Sequence, residues 1–127
     1  MTKELDFDAI KAAAESHRAD MTRFLRAMIS HPSESCEEGE VVACIKAEME
    51  SLGYDEVKVD GLGNVMGFMG EGDKIIAIDS HIDTVGIGNI DNWDADPYEA
   101  TRPTRSSTAA AAPTRRVAWL LLPTLPR

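Results

Sequence analysis

The stretch that most constrains the fold is residues 74–85, with the sequence Lys-Ile-Ile-Ala-Ile-Asp-Ser-His-Ile-Asp-Thr-Val. Its first half, Ile75 to Ile78, is continuously apolar and mostly β-branched, which favours a strand buried on both faces of a sheet. The sequence turns polar at Asp79. A buried strand that ends in polar residues delivers them to the rim of a sheet, where α/β proteins hold their reactive groups. The stretch therefore predicts an α/β fold with a site at the end of this strand.

His81 and Asp83 are the candidate site residues at that rim. Residues two apart in an extended chain point to the same side, so the imidazole and the carboxylate are expected to be neighbours. His81 has the chemistry of a metal ligand, and Asp83 can either ligate beside it or hold the ring through its second nitrogen. The alternative is a histidine–aspartate pair that only stabilises the strand end. The His-x-Asp spacing alone does not distinguish a metal site from a stabilising pair.

Apolar spacing predicts one long amphipathic helix from Asp6 to Ser30, of about six turns, ended by Pro32. The apolar face repeats at alternating intervals of three and four residues: Phe7, Ile10, Ala14, His17, Met21, Phe24 and Met28. His17 lies on this face without a carboxylate or cysteine neighbour on it, which favours packing over ligation.

A second helix is predicted from about Glu38 to Leu52, with a capping box formed by Ser35 and Glu38 at its start and Gly53 at its end. Four acidic residues lie close to its start: Glu34, Glu37, Glu38 and Glu40. Their spacing does not match a calcium loop, and carboxylates near a helix N-terminus are favoured by its dipole, so they are interpreted as solvated.

Two short strands follow, Glu56 to Val59 and Val65 to Met69, joined by a turn over residues 60–64. The glycines of that turn, Gly61 and Gly63, are interpreted as turn residues, because no third glycine and no helix follow them as a nucleotide-binding loop requires. Two helices, two strands and a buried strand are typical of the first part of an α/β domain.

Composition excludes several functional classes. A chain of 127 residues has room for one modest domain, and its formal net charge of -9 argues against a nucleic-acid-binding surface. Cys36 and Cys44 form neither a metal motif nor a disulfide framework, which predicts a reducing, cytoplasmic location. No signal peptide is recognised, and the longest apolar run, Val117 to Leu122, is too short to span a membrane.

Several short motifs between residues 5 and 99 resemble, in order and spacing, those of a known family. The matching pieces are Pro32-Ser33-Glu34-Ser35 with Glu40, Leu52-Gly53-Tyr54, Gly63-Asn64-Val65, Asp79 to Val85, and Trp93 with Asp96-Pro97-Tyr98. The family is that of the zinc-dependent amidohydrolases and exopeptidases, which includes acetylornithine deacetylase, succinyl-diaminopimelate desuccinylase, aminoacylase and related dipeptidases. Within it the sequence is most similar to the hydrolases assigned to selenium metabolism.

The resemblance implies that His81 is a ligand of one of two zinc ions and that Asp83 positions this ligand without binding metal itself. It implies a central mixed sheet of the zinc-exopeptidase type and a small acyl-amino acid or peptide as substrate. The implied mechanism is hydrolysis by a water that two cations activate, with a glutamate moving the proton. A histidine and a carboxylate also suit cobalt or manganese.

The sequence departs from the family after Glu99. A Gly-Arg-Gly segment, a bridging aspartate, a glutamate pair, further ligands and an inserted dimerisation domain are expected there and are absent. Residues 101–127 instead hold five Arg and four of the six Pro, and no Asp, Glu, Lys or Gly. Two segments are therefore predicted: residues 1–99 as a truncated N-terminal part of a metallohydrolase catalytic domain, and residues 100–127 as a non-homologous, disordered tail.

A shifted reading frame accounts for the composition of that tail. If each codon takes the last two bases of an intended codon and the first base of the next, Ala109-Ala110-Ala111 can arise from bases that encode Gly-Arg-Gly. The segment from Pro113 to Trp119 can arise in the same way from Ser-Asp-Gln-Glu-Gly-Gly-Met. The hypothesis is one lost base near the codons for Glu99 and Ala100; the alternative is a natural basic tail.

The sequence thus predicts a metal-dependent hydrolase of amide or peptide bonds by ancestry, with a catalytic set too incomplete for this chain to act alone. The alternative function is a non-catalytic remnant, or a fragment that acts only with a complementing partner. A third interpretation, a small acidic binding module, requires the whole motif series to be coincidence. One histidine cannot hold a catalytic zinc ion, which typically takes three protein ligands.

Overall fold

The computed structural model of the chain describes residues 6–99, which form three helices and a two-stranded antiparallel sheet. The elements in order are α1 (Phe7–Ser16), α2 (Arg18–Ile29), α3 (Gly39–Ser51), β1 (Glu56–Val59), β2 (Val65–Phe68) and a short 3₁₀ helix (Ile90–Asn92). The mixed α/β class predicted from the sequence is confirmed in this coarse form. The predicted tail, residues 100–127, and the predicted frame junction at Ala100 lie outside the described residues.

The single long helix predicted from Asp6 to Ser30 is wrong, because the chain breaks at His17 into α1 and α2. Ser16 Oγ donates to the carbonyl oxygen of Ala13 at 2.7 Å, a local bond that competes with helix continuation. Only the second half of the predicted apolar face is buried, through Phe24 and Met28, whereas α1 has no buried residue. The predicted apolar face is therefore confirmed along α2 and not along α1, where Phe7 and Ile10 are exposed.

The core lies between α2, α3 and the hairpin. Its seven buried apolar residues are Phe24, Met28, Val41, Val42, Ile45, Met49 and Val65. Four of them come from one face of α3, which contacts α2 on one side and both strands on the other. Across the outside of this contact, Arg23 and Glu48 form a two-pronged ion pair with N···O distances of 2.5 and 3.1 Å. Helix α3 is thus the central element, and the sequence located it to within one residue at each end.

The hairpin matches the sequence prediction. Glu56 pairs with Phe68 and Val59 with Val65, and the connecting turn is closed by Asp60. Asp60 Oδ1 accepts the backbone N–H groups of Leu62 and Asn64, both at 2.9 Å. These local bonds explain why an Asp-Gly-x-Gly-Asn sequence forms the turn without help from the rest of the fold.

The hairpin packs closely on α3 at Gly67. A Cβ atom at this position would lie 2.6 Å from Tyr54 Cδ1 and 2.9 Å from Met49 Sδ. We expect Gly67→Ala to lower the free energy of unfolding by about 1–3 kcal/mol, because the hairpin must move away from α3. Urea unfolding followed by circular dichroism measures this change. The matched control is Gly61→Ala, where a Cβ meets nothing within 4 Å; equal stability of the two variants would contradict the close packing.

The strand predicted at Ile75 to Ile78 is not formed, and this prediction is wrong for the described residues. Ile75 and Ile76 are 93% and 88% exposed, and the segment pairs with no strand in residues 6–99. An open cavity of about 1950 Å³ is lined by this segment, by β2 and by α3. A strand is stabilised by its neighbours rather than by its own composition, so without a neighbour the apolar run forms no strand and stays exposed.

In the described part of the chain, none of the helices has the length and apolar content that a membrane crossing requires.

Candidate functional site

The structure brings His81 and Asp83 together, as the sequence predicts. His81 Nδ1 and Asp83 Oδ1 are 2.7 Å apart, and the two side chains are 45% and 38% exposed. An ionised carboxylate can only accept hydrogen bonds, so Nδ1 carries the proton and donates it to Asp83. In the neutral imidazole, a proton on Nδ1 leaves Nε2 with its lone pair, which is the form that binds a metal ion.

Asp83 is held on its other side by Ser35. The Ser35 hydroxyl donates to Asp83 Oδ2 at 2.8 Å. This hydrogen bond, followed by the one from His81, holds the pKa of the Asp83 carboxyl below its usual range. Asp83 is therefore ionised at neutral pH, which is the state that the hydrogen bond from His81 Nδ1 requires.

The same hydrogen bond corrects the prediction of a capping box. Glu38 occupies the N-cap position of α3, and no side chain caps the helix there. The Ser35 hydroxyl points across to Asp83 instead, 48 residues further along the chain. In a capping box the serine oxygen would accept from a backbone N–H at the helix start, whereas here the hydroxyl donates to an ionised carboxylate, and a hydrogen bond to a charged group is the stronger of the two.

The loop between α2 and α3 also holds the backbone of the site. The Thr84 N–H donates to the carbonyl oxygen of Ser33 at 2.7 Å, and Glu34 and Thr84 form a parallel β-bridge. Ser33 is fully buried, and its hydroxyl donates to the carbonyl oxygen of Ile82 at 3.3 Å. The residues on both sides of Asp83 are thus tied to one loop.

Cys36, the residue after Ser35, has a backbone φ of +74°. This left-handed conformation is unfavourable for a side chain with a Cβ and is usually taken by glycine. It turns the chain sharply between Ser35 and the start of α3. Local strain of this kind is retained where the surrounding contacts determine the conformation, and the residues just before Cys36, Ser33 to Ser35, are bonded to residues 82–84.

The other two histidines of the sequence have different neighbours. His17 lies at the junction of α1 and α2, and His31 Nδ1 lies 3.3 Å from Glu40 Oε2. Among residues 6–99, no group of three or more histidine, cysteine, aspartate or glutamate side chains is arranged to hold a metal ion. The interpretation of the acidic residues near α3 as solvated carboxylates agrees with their exposure, since of the four only Glu38 is partly covered.

Sequence reasoning missed the three residues that hold the site: Ser33, Ser35 and Thr84. The motif Pro-Ser-Glu-Ser marked the loop as a matching piece of the family pattern, but its contact with residues 82–84 had no local signal. Pairing between segments about 50 residues apart becomes visible only in the folded chain.

The comparisons with known proteins give a relative of unassigned activity. The chain is 57% identical over 99 residues to the "Uncharacterized protein YgeY" of Escherichia coli strain K12, and equally so to the protein of the same name from Escherichia coli O157:H7. Each alignment covers 78% of this chain and 25% of the relative. The chain therefore spans about a quarter of the length of the curated relatives it matches.

No family model matches the chain, and no solved structure matches it.

Proposed function

We propose that this chain supplies one histidine ligand, His81, and its orienting aspartate, Asp83, to a metal-dependent hydrolase of amide or peptide bonds. The observation that carries the proposal is the 2.7 Å hydrogen bond between His81 Nδ1 and Asp83 Oδ1. It fixes the ring in the tautomer that offers Nε2 to a cation, and carboxylates back metal-binding histidines in this way. The zinc-exopeptidase type of catalytic domain belongs to this proposal, as does a cytoplasmic location.

The donor chemistry of His81 fits zinc, and cobalt or manganese are the alternatives. A divalent metal ion, when bound, would supply the positive charge that polarises an amide carbonyl and makes water more acidic. Asp83 acts on the ring rather than on the substrate: it accepts the Nδ1 proton and keeps the imidazole oriented. Small acyl-amino acids or peptides are the proposed substrates.

The described residues do not complete such a site. Catalytic zinc typically takes three protein ligands, and no cluster of three candidate ligands exists in residues 6–99. We therefore propose that the chain alone does not turn over substrate. The remaining ligands would come from polypeptide equivalent to the three quarters of the relatives that this chain does not span.

The second candidate function is a non-catalytic remnant or a fragment that needs a complementing partner. The exposed apolar segment at Ile75 to Ile78 favours it, since such a segment is a template for pairing with another chain. The two candidates differ in what the isolated chain does with zinc.

Zinc titration against a competing chelator at pH 7.5 tests the proposal. We expect weak binding that falls at least tenfold in His81→Ala and about tenfold in Asp83→Asn, because the ring is then no longer backed by a carboxylate. His17→Ala is the matched control, because it removes an imidazole at the α1–α2 junction. Zinc affinity unchanged by His81→Ala would overturn the site.

Turnover is measured in the same preparation with an N-acyl amino acid and a dipeptide. No hydrolysis above the blank is expected. Hydrolysis that His81→Ala abolishes would contradict the proposed inactivity of the isolated chain and leave the site in place.

The proposed origin of residues 100–127 has its own test, the nucleotide sequence of the gene through the codons for Tyr98 to Arg127 and beyond. An adjacent frame that encodes Gly-Arg-Gly, an aspartate and a glutamate pair is the expected result. A gene without such a frame would make the basic tail a genuine part of the protein.

A further inference from the structure

The site segment is held by a loop rather than by a sheet. In sheet-based sites, the backbone hydrogen bonds of neighbouring strands fix the strand that carries the functional side chains. Here residues 75–78 lack such a ladder, and the loop at residues 33–35 takes its place next to Asp83. This loop contributes the main-chain bond between Ser33 and Thr84 at 2.7 Å and the side-chain bond from Ser35 to Asp83 at 2.8 Å.

The two serines of the loop have different roles. Ser33 is fully buried and bonds to backbone, so it supports the fold of the loop. Ser35 is exposed, and its hydroxyl reaches the Asp83 oxygen that His81 does not use. A carboxylate held at one oxygen only can rotate about the bond to its Cβ, whereas one held at both oxygens is fixed in direction. The direction of Oδ1 decides where the His81 ring points.

We propose that Ser35 is a positioning residue: its hydroxyl fixes the Asp83 carboxylate, and Asp83 thereby sets the tautomer and orientation of His81. The inference deepens the proposed function and rests on it for the metal, but the chain Ser35–Asp83–His81 can be tested without any metal. The backbone agrees with it, because Ser35 lies in a turn closed by the bond from the Glu37 N–H to the Glu34 carbonyl oxygen, in which Cys36 is left-handed, and is therefore outside α3.

The test is the tautomer of His81, read from the ¹⁵N chemical shifts of the imidazole ring in the full chain at one pH of about 8, above the usual pKa of histidine. Wild type is expected to show the proton on Nδ1. Ser35→Ala is expected to shift the His81 ring toward a mixture of both tautomers. Asp83→Asn shows the spectrum expected when the carboxylate no longer selects a tautomer. Ser35→Thr retains the hydroxyl and should restore the wild-type spectrum.

Ser51→Ala is the matched control, since it removes a hydroxyl that bonds to the Glu48 carbonyl at the end of α3. If the loss of any serine hydroxyl altered the spectrum, the tautomer of His81 would change in Ser51→Ala as well. The inference is overturned if His81 in Ser35→Ala has the same tautomer as in wild type. It is also overturned if Ser35→Ala and Ser35→Thr show the same mixture of tautomers, because the hydroxyl group would then make no difference.

Zinc affinity of the same variants separates this inference from the proposed function. We expect Ser35→Ala to lose affinity by less than the loss of about tenfold in Asp83→Asn, because Ser35 acts on His81 only through that carboxylate. Wild-type chain that binds no zinc, with a tautomer that still depends on Ser35, would overturn the proposed function and leave the positioning role. Zinc bound through His81 with equal affinity in Ser35→Ala would overturn the positioning role and leave the function.

Discussion

Ile45→Ala is expected to lower the free energy of unfolding by about 3 kcal/mol, within the range of 2–5 kcal/mol for truncating a buried isoleucine. Ile45 is 1% exposed and lies on the α3 face that contacts both α2 and the hairpin. Within residues 6–99 the core has seven buried apolar residues, so few neighbours can fill a cavity at its centre. Because small domains are marginally stable, this single change is expected to leave a large fraction of the chain unfolded.

The matched control is the same truncation at Ile76, which is 88% exposed. Its expected effect is below about 0.5 kcal/mol, since an exposed side chain leaves no cavity when it is shortened. Urea unfolding of both variants, followed by circular dichroism, gives the comparison. If Ile76→Ala costs as much as Ile45→Ala, the segment from Ile75 to Ile78 is packed in solution and our description of it is wrong.

Restored hydrolysis by a complementing polypeptide is the second large effect we expect. The complement is the part of the Escherichia coli strain K12 relative outside the aligned 99 residues, mixed with this chain and zinc. On the proposed function, the complement supplies the missing ligands and this chain supplies His81. We expect turnover of an acyl-amino acid or dipeptide only in the mixture.

Three variants test whether that turnover depends on His81 and Asp83. His81→Ala is expected to lower it by more than about 100-fold, because loss of a ligand exceeds the 10–100-fold effect of losing its hydrogen-bond partner. Asp83→Asn is expected to lower turnover by about 10–100-fold. His17→Ala is expected to leave it unchanged.

Hydrogen exchange of the same mixture gives a second measurement that does not depend on activity. The backbone amides of Ile75 to Ile78 should become protected when the complement binds, because the segment then gains a strand neighbour. Turnover that persists in His81→Ala would exclude the proposed site. Unchanged exchange together with no turnover would favour a non-catalytic remnant with no such partner.

The sequence predicted the features that short-range interactions determine. The bounds of α3 follow from its apolar spacing and from Gly53, which takes the left-handed φ of +76° after the helix. The β1–β2 turn follows from the backbone bonds to Asp60. His81 and Asp83 are two residues apart, and their side chains form the expected contact at 2.7 Å.

Three features differed from what the sequence predicted. The break at His17 divides a helix whose periodicity is continuous, and Ser35 bonds to Asp83 rather than to the start of α3. The run from Ile75 to Ile78 has the composition of a buried strand and lies exposed. The bond of Ser35 and the exposure of the apolar run were decided by which partner lies opposite the segment in the folded chain, whereas the break at His17 coincides with the local bond from Ser16 to Ala13.

The sequence by itself therefore determined the local elements and the composition of the candidate site, and the tertiary structure decided what holds that site. Helical turns and tight turns close hydrogen bonds within a few residues, so their free energy is largely set by the segment itself. A strand, or a side chain that bonds 48 residues away, gains its free energy only when the partner is in place. That is why residues 33–35 acquire their role as the support of Asp83 only in the folded chain.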